Sequence, residues 1–227
     1  MSQPEDRRVQ PDPGSPEWFA TANHQNGDAQ RLVGKAMHAG AAVVFDDQAL
    51  ADDIYPCLLS QSARRGRGVL EPSDRIGYAF SPVMIAIAKH AELSVGDPIF
   101  QAVAARHYLY TMEGYAGSVG FAGSAITTTR IDTVTKKIIS TSTNDPDKEK
   151  RELQGRLVGM RDRLATFEGN IPVADREKPE LLSYVFRVPD SGTRNRLLAP
   201  IKDGNWEPLK TAVTAMKAKV QDRQRRG

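Results

Sequence analysis

Three arginines within four residues, Arg64, Arg65 and Arg67, stand in the run Ala-Arg-Arg-Gly-Arg-Gly at 63–68 without an acid among them. Gly66 and Gly68, set among and after them, let the backbone bend, and planar guanidinium forks suit the paired oxygens of a phosphate. A second group combines Arg130 with Lys136 and Lys137, set among Ser and Thr hydroxyls that also donate to phosphate. The third is the C-terminal stretch KAKVQDRQRRG at 217–227, where Lys217, Lys219, Arg223, Arg225 and Arg226 face one acid, Asp222. That stretch alone exceeds the +3 of the whole chain, so the remainder is slightly acidic. Each patch taken singly has a bland explanation. Basic tails keep proteins soluble, and a positive helix end complements its own dipole. Three patches on one nearly neutral body point instead to a polyanionic partner, gripped through its backbone charge.

Residues for bond-making chemistry are not grouped. The four histidines, His24, His38, His90 and His107, never fall at H-x-x-x-H spacing, and Cys57 is the single cysteine, so neither a zinc pattern nor an intramolecular disulfide can be written. His90 and His107 would meet only if their two helices pack antiparallel. Two satisfied interfacial histidines are the simpler expectation. The segment AGSVG at 116–120 has alanine where a nucleophile elbow needs its first glycine. A phosphate loop begun at Gly117 and running to Ser124 would need glycine at 122 and lysine at 123, where Ala122 and Gly123 stand, and Gly114, Gly117 and Gly120 are spaced wrongly for a dinucleotide turn. These glycines suit a connector or a closely packed small-residue face, although Tyr115 and Phe121 could stack on bases beside them. Asp46-Asp47 and Asp52-Asp53 read as a solvated acidic face. No catalytic residue, metal or cofactor is assigned, and the chain is read as non-enzymatic.

The setting for these residues is a 227-residue chain with 40% hydrophobic and 26% charged residues, enough for one large domain. No apolar run reaches the roughly 20 residues of a membrane span. The first residues lack the apolar stretch of a signal peptide, so an intracellular or virion location is expected and no membrane is involved. The lone cysteine agrees with a reducing compartment.

Residues 1–26 are expected to form a disordered or partner-ordered arm, because prolines at 4, 11, 13 and 16 stand among few large apolar side chains. Trp18-Phe19 could pin that arm to its own core or to a neighbouring subunit, the first being simpler. A helical core over 27–210 follows. Asp28 can cap a helix to Phe45, with Leu32, Val33, Ala36 and Met37 on one side. A helix over 47–63 carries Leu50, Ile54 and Leu58 and is kinked by Pro56. Ser81-Pro82 and Asp97-Pro98 have the form of N-caps followed by a first-turn proline, opening helices over 82–93 and 98–113. The first of these is apolar on most sides. Glycines at 114, 117, 120 and 123 should fray the second.

The β-branched run ITTTRIDTVTKKIISTST suggests a small hairpin or extended element. Asp145 and Pro146 then open a helix over 146–168, with Leu153, Leu157, Met160, Leu164 and Phe167 along one narrow seam. LLSYVFRV at 181–188 reads as a strand or buried segment. A last helix, beginning near Pro208, carries Leu209, Val213, Met216 and Val220, and the basic helix or tail occupies 211–227.

The expected fold is therefore mainly α, a single helical domain with a small β-hairpin or extended element and flexible arms at both ends. This plan is similar to that of filamentous virus coat proteins, as an architecture and not by any motif. The leading expectation is a self-associating protein that binds single-stranded RNA or DNA along its phosphates. A helical scaffold of a phage or secretion assembly, or a DNA-binding accessory factor, remain alternatives.

Overall fold

The computed structural model describes residues 10–23, 25–47, 72–121, 127–131, 138–143 and 146–226, with side chains described except at 72–79, 115–121, 127–131, 138–143, 146–150, 223, 224 and 226. The helix expected over 47–63, with Cys57 and the Asp52-Asp53 pair, lies outside the described residues.

The chain reaches its own core early. Ser15 Oγ accepts from the Trp18 N–H at 3.1 Å and Pro16 fills the first turn, which starts the short helix α1 (Pro16–Thr21). Phe19 is fully buried and its ring lies 6.3 Å from that of Phe100. Just before α1, the Gly14 carbonyl accepts from the Val95 N–H at 2.9 Å. Gly14 has φ +87°, and a Cβ there would come within 2.9 Å of the Val95 methyls, so only glycine fits this close approach. The arm expected to extend to residue 26 is thus docked on its own body from Gly14 onward.

Helix α2 (Gly27–Phe45) is capped by Asn26 and not by Asp28. Asn26 Oδ1 accepts from the N–H groups of Asp28 at 2.8 Å and Ala29 at 3.4 Å, while Asp28 occupies the first turn, where its charge favours the dipole. Helix α3 (Pro72–Ala91) runs straight through Ser81-Pro82. The expected start at 82 is therefore a mid-helix proline. Burial of Val83, Met84, Ile85, Ile87 and Ala88 in one core outweighs the hydrogen bond that the ring removes.

Asp97 does cap helix α4 (Pro98–Phe121), its Oδ1 accepting from the Ile99 N–H at 2.7 Å. This helix continues past Gly114 to Phe121, beyond the fraying point read from its glycines. Propagation from a packed stretch adds a hydrogen bond per residue and offsets a cost of about 1 kcal/mol per glycine.

Residues Thr127–Ile131 (β1) and Ile138–Thr143 (β2) pair antiparallel, with Arg130 opposite Ser140 and an irregularity between Arg130 and Ile131. Helix α5 (Pro146–Gly169) follows. Helix α6 (Lys178–Ser183) passes into a 3-10 turn, Tyr184–Arg187. The strand considered for 181–188 is thus helical, and its apolar residues Leu181, Leu182, Val185 and Val188 are buried. Steps of three and four between them put one face inward. Helix α7 (Ser191–Leu198), a 3-10 turn at Ala199–Asp203 and helix α8 (Glu207–Arg226) complete the chain.

Two apolar clusters meet along α4. One joins Phe19, Val33, Met37, Met84, Phe100 and Val103 to Leu182, Leu198, Leu209 and Val213 from the C-terminal elements. The other joins Val44, Phe45, Tyr108 and Met112 to the α5 seam, Leu153, Leu157, Met160 and Leu164. Helix α4 is apolar on nearly every side because it is the central rod. Gly40 lets α2 lie against it, since a Cβ there would sit 3.2 Å from the Gln101 Cα. Arg163 of α5 donates to the Phe45 and Asp46 carbonyls, closing the C-terminus of α2.

Candidate nucleic-acid interface

The basic C-terminal stretch is the end of α8. Leu209 and Val213 bury the start of this helix, Met216 is half-buried, and Lys217 to Asp222 are all exposed. Ten further residues of helix span about 15 Å, so the apolar seam leaves the body at Met216 with Val220 45% exposed. Lys217, Lys219 and Arg225 are exposed, and Arg223 and Arg226 lie on the same helix. Lys217 also reaches Glu180 of α6 at 2.7 Å, an exposed pair that a competing anion can open at little cost. Of the other expected phosphate ligands, Arg130 lies on β1. Arg64, Arg65, Arg67, Lys136 and Lys137 lie outside the described residues.

A cleft of about 330 Å³ opens between α4, α5 and the turn after α6. Its inner wall is cross-tied. The Arg106 guanidinium grips both oxygens of Glu168, at 2.5 and 2.6 Å, in a bidentate pair mostly shielded from water that ties α4 to α5. Beside it the His107 ring lies between Phe80 and Phe186, with centroids at 4.3 and 4.2 Å. Among the described residues, neither ring nitrogen of His107 has a hydrogen-bond partner. Burial lowers its pKa to about 3, so the ring is neutral at pH 7.

The mouth of the cleft is looser. Arg161 of α5 donates to Glu113 of α4 at 2.7 Å, and this pair is substantially exposed. Across from it the Arg187 guanidinium lies over the Tyr110 ring, 4.4 Å from the centroid, and donates weakly to Met216 Sδ at 3.6 Å. No carboxylate pairs with Arg187 among the described residues. Met216 thereby brings the basic helix α8 to the edge of the cleft.

Sequence reasoning missed this cleft, although its pattern was present. Arg106, Tyr110 and Glu113 are spaced four and three apart, as are Arg161, Ala165 and Glu168, which puts the charges on one stripe of each helix. The two histidines considered as a pair do not share the site. His107 faces Phe80, ten residues before His90, or about 15 Å of helix. His90 also has a lowered pKa, from burial first and then from Lys202 and Lys89. Among the described residues no three His, Cys, Asp or Glu gather to hold a metal, and no helix is long and apolar enough to cross a membrane. Comparison with protein-family models, with curated proteins and with solved structures found no match to this chain.

Proposed function

We propose that the chain is a non-enzymatic, self-assembling structural protein that binds single-stranded nucleic acid along its phosphate backbone without base specificity, in the manner of a coat or nucleocapsid protein. The observation that carries this reading is the end of α8, which presents Lys217, Lys219 and Arg225 on a helix whose apolar seam has left the body. A regular helix holds its cations at fixed intervals along a strand, and each phosphate neutralised releases counterions. Arg64, Arg65 and Arg67, with Arg130, Lys136 and Lys137, add further phosphate ligands in this reading. The seam past Met216, with Val220 exposed, gains burial against a second copy, which joins strand binding to assembly.

The test is affinity for two unrelated single-stranded oligonucleotides across a salt series, with sedimentation of the same samples. Deleting residues 217–227 removes five cations and should lower the salt slope by up to about 3.5, at about 0.7 per phosphate contact. The loss should be alike for both oligonucleotides, because backbone contacts carry no base information. Freshly purified protein should carry nucleic acid, seen as a raised ratio of absorbance at 260 to 280 nm, and shed it in high salt. Equal slopes for full-length and shortened protein remove the reading. The Lys217–Glu180 pair, which engages one of these cations within the chain, would then favour a helical scaffold without nucleic acid.

A further inference from the structure

We infer that the cleft between α4, α5 and the Tyr184–Arg187 turn is a nucleotide-binding site, in which a base stacks on the outer face of the Arg187 guanidinium and its phosphate is taken by Arg161. The inference rests on the nucleic-acid reading above and deepens it by placing one unit of the strand.

The Arg187 guanidinium already lies over the Tyr110 ring, 4.4 Å from its centroid, so the pair offers a supported cationic platform with a planar group at its surface. Guanidinium planes and aromatic rings are the surfaces on which unpaired bases stack. Arg187 has no carboxylate partner among the described residues, whereas Arg106 is fully engaged with Glu168. The incoming negative charge therefore falls at the mouth and not on the inner wall. Arg161 stands on the other side with only an exposed pair to Glu113, which a phosphate can replace. Glu113, once released, is an acceptor beside the base and would repel a second phosphate. That limits the cleft to one nucleotide, and the 330 Å³ volume matches a small ligand. The contact of Arg187 with Met216 links this platform to α8, so a strand running along the basic helix meets the cleft at its edge.

An acidic peptide would use the charge but not the flat face, and the variants separate the two. The full chain and its variants Tyr110→Ala, Arg187→Ala and Arg187→Lys are titrated with a labelled 12-mer of uridine, with uridine monophosphate and with poly-glutamate. Circular dichroism checks the fold of each. Arg187→Ala and Tyr110→Ala should each weaken the 12-mer about tenfold. Arg187→Lys, which keeps the charge and loses the plane, should weaken it by a similar factor. A 4-thiouridine 12-mer should crosslink within the peptides carrying Tyr110 or Arg187.

If all three variants bind the 12-mer like the parent while deletion of 217–227 abolishes binding, the cleft inference is overturned and the basic-helix reading survives. If the monophosphate binds and is lost in the Arg187 variants but no strand binds, the cleft is a mononucleotide site and the strand reading falls. Poly-glutamate binding tighter than the 12-mer and indifferent to Tyr110→Ala overturns the nucleotide assignment in favour of an acidic protein partner. Absence of binding to both nucleotide probes overturns it outright.

Discussion

Among the described residues, His107 has its imidazole held by two rings and by no hydrogen bond. Its carbonyl accepts from Thr111 Oγ1 at 3.0 Å, but both imidazole nitrogens are unpartnered between Phe80 and Phe186. Protonation would place a charge where water cannot reach it, which is why the native pKa falls to about 3 from an ordinary 6.5. Between those values the unfolded chain binds a proton that the native chain does not. The stability contribution is therefore intact above pH 6.5 and is lost as pH falls toward 3. At 1.36 kcal/mol per unit, about 2 kcal/mol should be gone at pH 5. His107→Phe keeps the ring stack and has nothing to titrate. Urea melts at pH 7.5 and pH 5 should show this variant losing about 2 kcal/mol less than the parent, with a residual loss from His90, whose shift has the same sign. Equal losses in the two proteins would exclude this origin. At this scale little was legible beforehand. A histidine's identity is visible in a sequence, but the rings above and below it come from residues 27 positions before and 79 after, with no local pattern to announce them.

Among the helices, α5 shows what local signals can carry. Its proline start, its acidic first turn and its apolar seam at steps of four and three are all short-range features, and the seam packs into the second cluster as that pattern requires. Leu157→Ala and Leu164→Ala should each cost about 2–5 kcal/mol, because α2 and α4 cannot collapse around the missing atoms. Val158, 54% exposed on the opposite side, should cost less than about 0.5 kcal/mol as Val158→Ala. Chemical denaturation of the three variants checks both halves, and equal losses at 157 and 158 would mean the seam is not buried. Helix α3 shows the opposite case. Ser81-Pro82 has the local form of a helix start, yet Ser81 is fully buried inside a 20-residue helix. Local chemistry could not reveal that the turn before Pro82 is also helical, since that depends on the core formed with α2 and α4. The position can be tested directly. At a first turn, Pro82→Ala changes little. In mid-helix it restores an N–H and removes a ring clash, so it should stabilise the protein by about 1–3 kcal/mol. A melting temperature at or below the parent's would argue for a break at residue 82.

For the molecule as a whole, the question is which ends belong to the body. Composition alone assigned residues 1–26 to an arm, because prolines and polar residues predominate and burial is decided elsewhere. Two residues change that boundary. Phe19 is fully buried against Phe100, and Gly14 is locked to Val95 by a hydrogen bond and by a backbone conformation closed to other residues. The Trp18-Phe19 pair was legible as an anchor, but its socket is shared among α1, α3 and α4, and only the assembled core reveals it. The consequence is a sharp asymmetry between two deletions. Removing residues 1–9 leaves Gly14, α1 and the Phe19 socket in place, and the melting temperature should stay within a degree or two. Removing residues 1–20 empties the Phe19 socket and strips α1, a loss at least as large as Phe19→Ala, about 3–5 kcal/mol. For a mainly helical body with native stability near 5–15 kcal/mol, that approaches unfolding. Sedimentation read beside the melts separates folding from assembly. The shorter deletion should sediment as the full chain does, so any assembly role of the N-terminal region would reside in Gly14–Ala22 and be inseparable from the fold. A stable, monomeric product from the longer deletion would show instead that Phe19 docks on a neighbouring copy, and that the socket beside Phe100 is an interface between subunits.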